Sequence, residues 1–223
     1  MHSDIFLVMP RSAFGGDAAM TNAQLMPAPL SLDISGDTQT PLPQPMDGSR
    51  CQCCGLHINK LWQGARAGFD EPHAVCSLCY LTGHLDSPTA AHARLVWLPG
   101  TSLTNALHLQ RQILLAMIAG NRAQQREGKR LWRWMVLHAR EVEGAWGTAR
   151  VGEFAAAMLR LPPGKRTRLQ QRLIGCVPVF PADVFDDLSL LLPEGKSAAQ
   201  ALTSWCLPTY RRSDLYAEPD PLD

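Results

Sequence analysis

Four cysteines constrain this chain more than any other residues. Cys51 and Cys54 form one CxxC pair, 21 residues follow, and Cys76 and Cys79 form a second. Two residues between paired cysteines let a tight knuckle of backbone present both thiolates to one tetrahedral ion, and the spacer brings the second pair round. Gly55, directly after the first pair in CQCCG, suits the sharp turn such a knuckle needs. The spacing predicts a closed structural site for one zinc ion, with Cys51, Cys54, Cys76 and Cys79 as ligands; the alternative is four buried or disulfide-linked cysteines. Cys53 interrupts the first pair, but only the 51/54 choice leaves two intervening residues, so Cys53 is read as a spare thiol. His73, three residues before Cys76, is the substitute ligand to weigh, although four thiolates already fill a tetrahedral shell.

The other two cysteines, Cys176 in IGCVPVF and Cys206 in TSWCLP, stand in apolar surroundings and are expected in a core. With 223 residues, 46% of them hydrophobic, the chain can build one sizeable core or two small ones. A net charge of +1 conceals an asymmetry: residues 121–175 hold twelve Lys/Arg against four acids, whereas residues 176–223 hold three against eight. Such a basic middle either attracts nucleic acid or an acidic partner, or is a solvated helix face with an internal charge complement; the second reading is preferred. MHSDIFLVMPR lacks a basic leader and an adequate apolar run, so no signal peptide is expected, and no stretch approaches the roughly 18 apolar residues of a membrane span. An odd number of cysteines and a metal that needs thiolates fit a reducing cytoplasm.

Along the chain, IFLVM at 5–9 is a candidate strand in an extended, Pro/Gly-rich arm (1–49). A zinc-binding module follows at 50–99, with a hairpin-like spacer, a short helix after the second knuckle and a strand in RLVWLP at 94–99 stopped by Pro99. A mainly helical region covers 100–210. Thr101 or Ser102 caps a helix whose inward stripe is Leu103, Ala106, Leu107, Gln110, Ile113, Leu114, Met117 and Ile118, ended by Gly120 and Asn121. Further helices are expected over 129–143 and 149–161, the latter stopped by Pro162-Pro163, and in the basic segment GKRTRLQQRLIG. VPVFPADVFDDLSLLLPEG, punctuated by prolines, is either core or, with its aromatics and leucines exposed, a docking groove. Residues 211–223 read as a flexible acidic tail.

Zinc knuckles also frame HNH nucleases, whose chemistry needs a histidine base, an asparagine orienting it and an open metal position. Between the knuckles this chain offers His57, Asn59, Asp70, Glu71 and His73, but Asn59 precedes the candidate base and no asparagine leads into the second knuckle. Neither Gly164-Lys165 nor Gly195-Lys196 completes a phosphate-binding loop, and no GxSxG element occurs. No catalytic residue is assigned, and a non-enzymatic role is expected.

The ordered string CQCCGLHI, CSLCYLTGHL, RLVWLP and a helix beginning SLTNAL resembles the IcmJ/DotN family of Dot/Icm-type (type IVB) secretion systems. The resemblance is close over residues 50–120 and looser beyond. It implies an α+β fold with a small HNH-like, treble-clef-type zinc module and short β-hairpin, followed by a mainly helical region. It also implies a non-catalytic part of a coupling complex, bound to the C-terminal region of the coupling ATPase with other subunits, cytoplasmic and peripheral to the inner membrane. By position Cys51, Cys54, Cys76 and Cys79 would be the zinc ligands. Thr82 stands where some members carry a further cysteine, and the proline-rich arm has no obvious family role. The rival reading is a zinc-containing nucleic-acid-binding protein, with Arg122, Arg126, Lys129, Arg130 and Arg133 on phosphates and Trp132 or Trp134 as a stacking surface, although those tryptophans fit a core better.

Overall fold

Short strands and helices alternate through a computed structural model that describes residues 44–64 and 73–203. The candidate strand at 5–9, Asp70 and Glu71, Cys206 and the acidic tail lie outside the described residues. The chain enters beside the first strand: residues 44–46 run antiparallel to it, with the Met46 amide donating to the Leu61 carbonyl at 3.0 Å. β1 (Trp62–Gly64) and β2 (His73–Val75) form an antiparallel hairpin, Trp62 opposite Val75 and Gly64 opposite His73. The chain passes directly from β2 through Cys76 into α1 (Ser77–Gly83). The expected hairpin spacer and short helix are therefore both present, and the fold is mixed α+β.

β3 (Arg94–Trp97) falls within the expected strand but takes its partner from far along the chain. It pairs antiparallel with β4 (Cys176–Val179), Leu95 opposite Pro178 and Trp97 opposite Cys176. The proline-punctuated segment, expected as core or groove, thus opens with a buried strand that its sequence does not announce. Proline tolerates this position because, among the described residues, the outer side of β4 receives no further strand; the Pro178 carbonyl there is taken by the Gln110 side-chain amide at 3.0 Å. The rest of that segment joins the core rather than a groove, with Phe180, Phe185 and Leu191 all buried.

α2 (Leu103–Ala119) is the central helix. Ser102 caps it, its hydroxyl accepting from the Asn105 amide, and its buried face includes Ala106, Leu107, Gln110, Ile113 and Leu114. α3 (Arg122–Leu137) starts before the expected position, because Asn121 and Gln124 form a reciprocal capping box. It packs on α2 through Gly128, Leu131 and Met135. A Cβ at Gly128 would stand 3.0 Å from Met117 Cγ, so glycine sets how closely the two helices approach.

The single helix expected at 129–143 is two, α3 and α4 (Ala139–Trp146), broken at His138. The His138 carbonyl accepts from the Trp97 amide of β3 at 3.2 Å, a tertiary bond that sequence periodicity does not register. α5 (Val151–Leu159) follows a stretch that lies against β3, where the Leu95 amide donates to the Ala149 carbonyl at 2.7 Å. Pro162-Pro163 ends one helix and begins the next, since Pro163 is the first residue of α6 (Pro163–Arg172). α7 (Ala198–Thr203) packs back on α2. One apolar core runs from Cys51 to Leu202, and Cys176 lies in it as expected. Trp132 and Trp134, expected in the core, are half-buried at its edge, the Trp132 indole N–H donating to the Phe180 carbonyl at 2.9 Å.

Candidate metal centre

The first knuckle is a narrow antiparallel loop. Arg50 bridges His57, the Cys51 amide donates to the Leu56 carbonyl at 2.8 Å, and the Gly55 amide returns to the Cys51 carbonyl at 2.9 Å. Gly55 has φ of 75°, the left-handed conformation expected of a glycine at this turn. The Cys54 amide points at Cys51 Sγ from 3.4 Å, so the loop's own backbone donates to a sulfur it presents. The second pair arises differently. Cys76 sits just before α1 and Cys79 lies in its first turn, where the Tyr80 amide donates to the Cys76 carbonyl at 2.8 Å. The β1–β2 hairpin carries the chain from one pair to the other.

Sγ atoms of Cys51, Cys54, Cys76 and Cys79 all lie within 4.8 Å of one another, and all four residues are buried. Cys54 and Cys76 are 3.7 Å apart at sulfur, and all four are free thiols rather than disulfides. In a tetrahedral thiolate centre with metal–sulfur bonds of about 2.3 Å, neighbouring sulfurs stand about 3.8 Å apart. The four residues therefore have the spacing, burial and chemistry to hold a metal ion. His73, at the start of β2, is not part of the group, nor is Cys53. His57 and Asn59 are exposed, just past the knuckle.

Electrostatics sharpen that reading. Hydrogen bonds from Cys53, Cys54, Cys76 and Cys79 pull the Cys51 thiol far below its ordinary value, whereas Cys54 and Cys79 are pushed well above theirs by the same contacts, Cys51 first. Thiolate is thus favoured at Cys51 and Cys76, and four thiolates in so small a volume require a cation among them. Cys53 stays a thiol, pushed up to about 12 by its bond to Cys51 and by burial. Cys176, remote from the cluster, is pushed up to about 11 by burial alone.

Two residues that sequence reasoning misses complete the site. Arg111 of α2, only 1% exposed, donates from Nη2 to Cys76 Sγ at 2.9 Å and faces His108 Nδ1 from Nη1 at 3.4 Å. His108 in turn meets the Cys54 carbonyl through Nε2 at 3.0 Å. A guanidinium only donates and a carbonyl only accepts, which places the imidazole proton on Nε2. Burial and then the Arg111 charge depress the His108 imidazole to about 4, so it is neutral. Burial works against the Arg111 charge as well, but the negative charge of the sulfur group, Cys76 first, outweighs it. The available signal for Arg111 is its phase: it lies four residues after Leu107 and three before Leu114, inside the buried stripe.

No protein-family model and no curated protein matches this chain.

Proposed function

We propose that the four cysteines hold one structural zinc ion and that the chain is a non-catalytic adaptor of a type IVB secretion or conjugation system. In this reading it acts in the cytoplasm, at the inner membrane through its partners, and binds the C-terminal region of the coupling ATPase. The observation that carries the metal half is the buried group of four sulfurs within 4.8 Å, with no histidine or carboxylate in it. Thiolates in a full tetrahedral set favour zinc and leave no open position for substrate. The order of knuckle, hairpin, second knuckle and helix is compatible with an HNH-like, treble-clef-type module. The partner half rests on the resemblance of CQCCGLHI, CSLCYLTGHL and RLVWLP in their order to the IcmJ/DotN family. Among the described residues no helix is long and apolar enough to cross a membrane, so attachment there would run through the ATPase.

Co-expression with the C-terminal region of a type IVB coupling ATPase, followed by size-exclusion chromatography with mass and zinc determination, tests both halves separately. A stable complex carrying one zinc per chain is expected. A zinc-loaded chain that elutes alone leaves the metal site standing and removes the adaptor role.

One observation favours the nucleic-acid reading enough to test it. Arg122, Arg126, Lys129 and Arg133 are exposed on the side of α3 opposite Gly128, Leu131 and Met135, a row of cations at helical spacing. Arg130 is drawn aside by Glu127 at 2.7 Å, and Trp132 is held by Phe180, which weakens the stacking half of that reading. DNA affinity falling steeply with salt would support it; no binding at low salt would remove it.

A further inference from the structure

Residues 154–182 carry five cations, Arg160, Lys165, Arg166, Arg168 and Arg172, and no acid. They form most of α5, all of α6 and the turn into β4. On α6, Leu169 packs against the core, and the Arg166 guanidinium donates to the Met158 and Leu159 carbonyls at 3.0 and 2.9 Å, which ties the helix to the end of α5. Lys165, Arg168 and Arg172 stand on the other side at the spacing of one helical face, all exposed. Arg172 lies over the Trp146 ring of α4 at 4.4 Å, and among the described residues no ion pair reaches Lys165 or Arg168. The acids of the adjoining α4 and α5 do not neutralise this face, because Glu141, Glu143 and Glu153 pair with His138, Arg94 and Arg150. Large apolar side chains are exposed at three positions among the described residues, and all three border α6. Leu159, 48% exposed, stands at its start and Ile174, 78% exposed, just past its end. Trp97, 43% exposed, lies against the next residue, for a Cβ at Gly175 would stand 3.2 Å from its Nε1.

We infer that this face of α6 docks on an anionic lipid surface. The inference goes beyond the adaptor reading, in which partners alone bring the chain to a membrane, and does not depend on it. Ten residues of helix make a strip about 15 Å long, with cations along it and apolar side chains at both ends. A protein interface gathers its apolar anchors at a desolvated centre and puts charge at the rim. Here the order is reversed, and the apolar residues project beside the cations instead of lining a groove. A headgroup layer fits that pattern without demanding a matching shape: lysine and arginine sit at the phosphates, while isoleucine and leucine reach the acyl boundary. Tryptophan suits the same depth, with an apolar ring and an N–H that stays among polar groups. The cationic row on α3 lacks this second ingredient, since no large apolar side chain is exposed on that helix. It offers attraction without insertion, which makes it the control.

Co-sedimentation of the full chain with vesicles tests this, using phosphatidylcholine alone and phosphatidylcholine mixed in equal parts with phosphatidylglycerol. The chain should bind the mixed vesicles and ignore the neutral ones. Lys165→Gln combined with Arg168→Gln should weaken binding roughly thirtyfold, about fivefold for each cation removed from the surface. Ile174→Ser keeps every charge and should weaken it roughly tenfold. Both sites are exposed, so the folded state is expected to survive, with circular dichroism as the check. Arg122→Gln combined with Arg126→Gln removes as much charge from α3 and should change binding by less than about threefold. Wild-type chain left in the supernatant with mixed vesicles at low salt overturns the inference. So does an equal loss in the α3 and α6 pairs, which reduces the effect to net charge, or an Ile174→Ser chain that binds as the wild type does. A chain that ignores the vesicles but binds polyglutamate through Lys165 and Arg168 assigns the face to an acidic protein partner, and also overturns it. Failure of the adaptor reading is seen separately, in co-expression with the ATPase segment.

Discussion

Cys76 concentrates three roles in one side chain: it belongs to the sulfur group, it stands at the entry to α1, and it accepts the Arg111 guanidinium. Cys76→Ser removes a soft ligand and leaves Arg111 facing a hydroxyl. Structural zinc contributes on the order of 10 kcal/mol to modules this small. The variant should therefore lose both its metal and its cooperative thermal transition, as read by zinc determination and circular dichroism; a zinc-free variant melting as the wild type does would contradict this. Gln110 offers a milder test. Gln110→Leu preserves bulk but leaves the Phe180 N–H and Pro178 C=O buried without partners, and should cost about 2–6 kcal/mol in denaturant unfolding, at roughly 1–3 kcal/mol per orphaned group. The four cysteines are legible in the sequence because a CxxC knuckle is a local device whose spacing is set by one ion. Arg111 is not, since arginine in a helix reads as solvated, and only the contact with Cys76, 35 positions away, gives it a reason to be inside.

Between elements, α3 approaches α2 closely where the two cross. A Cβ at Gly128 would meet Met117 Cγ at 3.0 Å, Ala116 Cβ at 3.2 Å and the Ile113 carbonyl at 3.2 Å. Gly128→Leu should therefore destabilise by about 1–3 kcal/mol through overpacking, despite the gain in helix propensity. Gly144, exposed in α4, meets nothing within 4 Å, so Gly144→Ala should stabilise by up to about 1 kcal/mol. Equilibrium denaturation of the two variants side by side checks the pair, and equal signs would refute the packing argument. Helix identity is readable here and helix boundaries are less so. The capping box at Asn121 marks the true start of α3 in plain sequence, but glycine at 128 weakens the pattern before it. The break at His138 and the strand at β4 are not readable, because each is fixed by β3, which is remote in sequence: Trp97 takes the His138 carbonyl, and Val96 lies opposite Val177.

At the scale of the whole molecule, early and late parts of the chain close over one another. Lys60 pairs with Asp187, the Glu194 amide donates to the His57 carbonyl at 2.8 Å, and β3 pairs with β4 across the whole run of helices from α2 to α6. The sulfur cluster lies inside this closure rather than at an open cleft, its outer wall made by the knuckles and its inner wall by α2. A metal held there would tie the two knuckles to each other. The charge asymmetry of the sequence reappears as an exposed cationic row on α3, directed away from α2. Zinc K-edge X-ray absorption on the purified full chain reads the coordination of the four cysteines. Four sulfur neighbours at about 2.3 Å with no nitrogen in the shell are expected; a mixed sulfur–nitrogen shell, or a chain that purifies without zinc, would refute the four-cysteine zinc site.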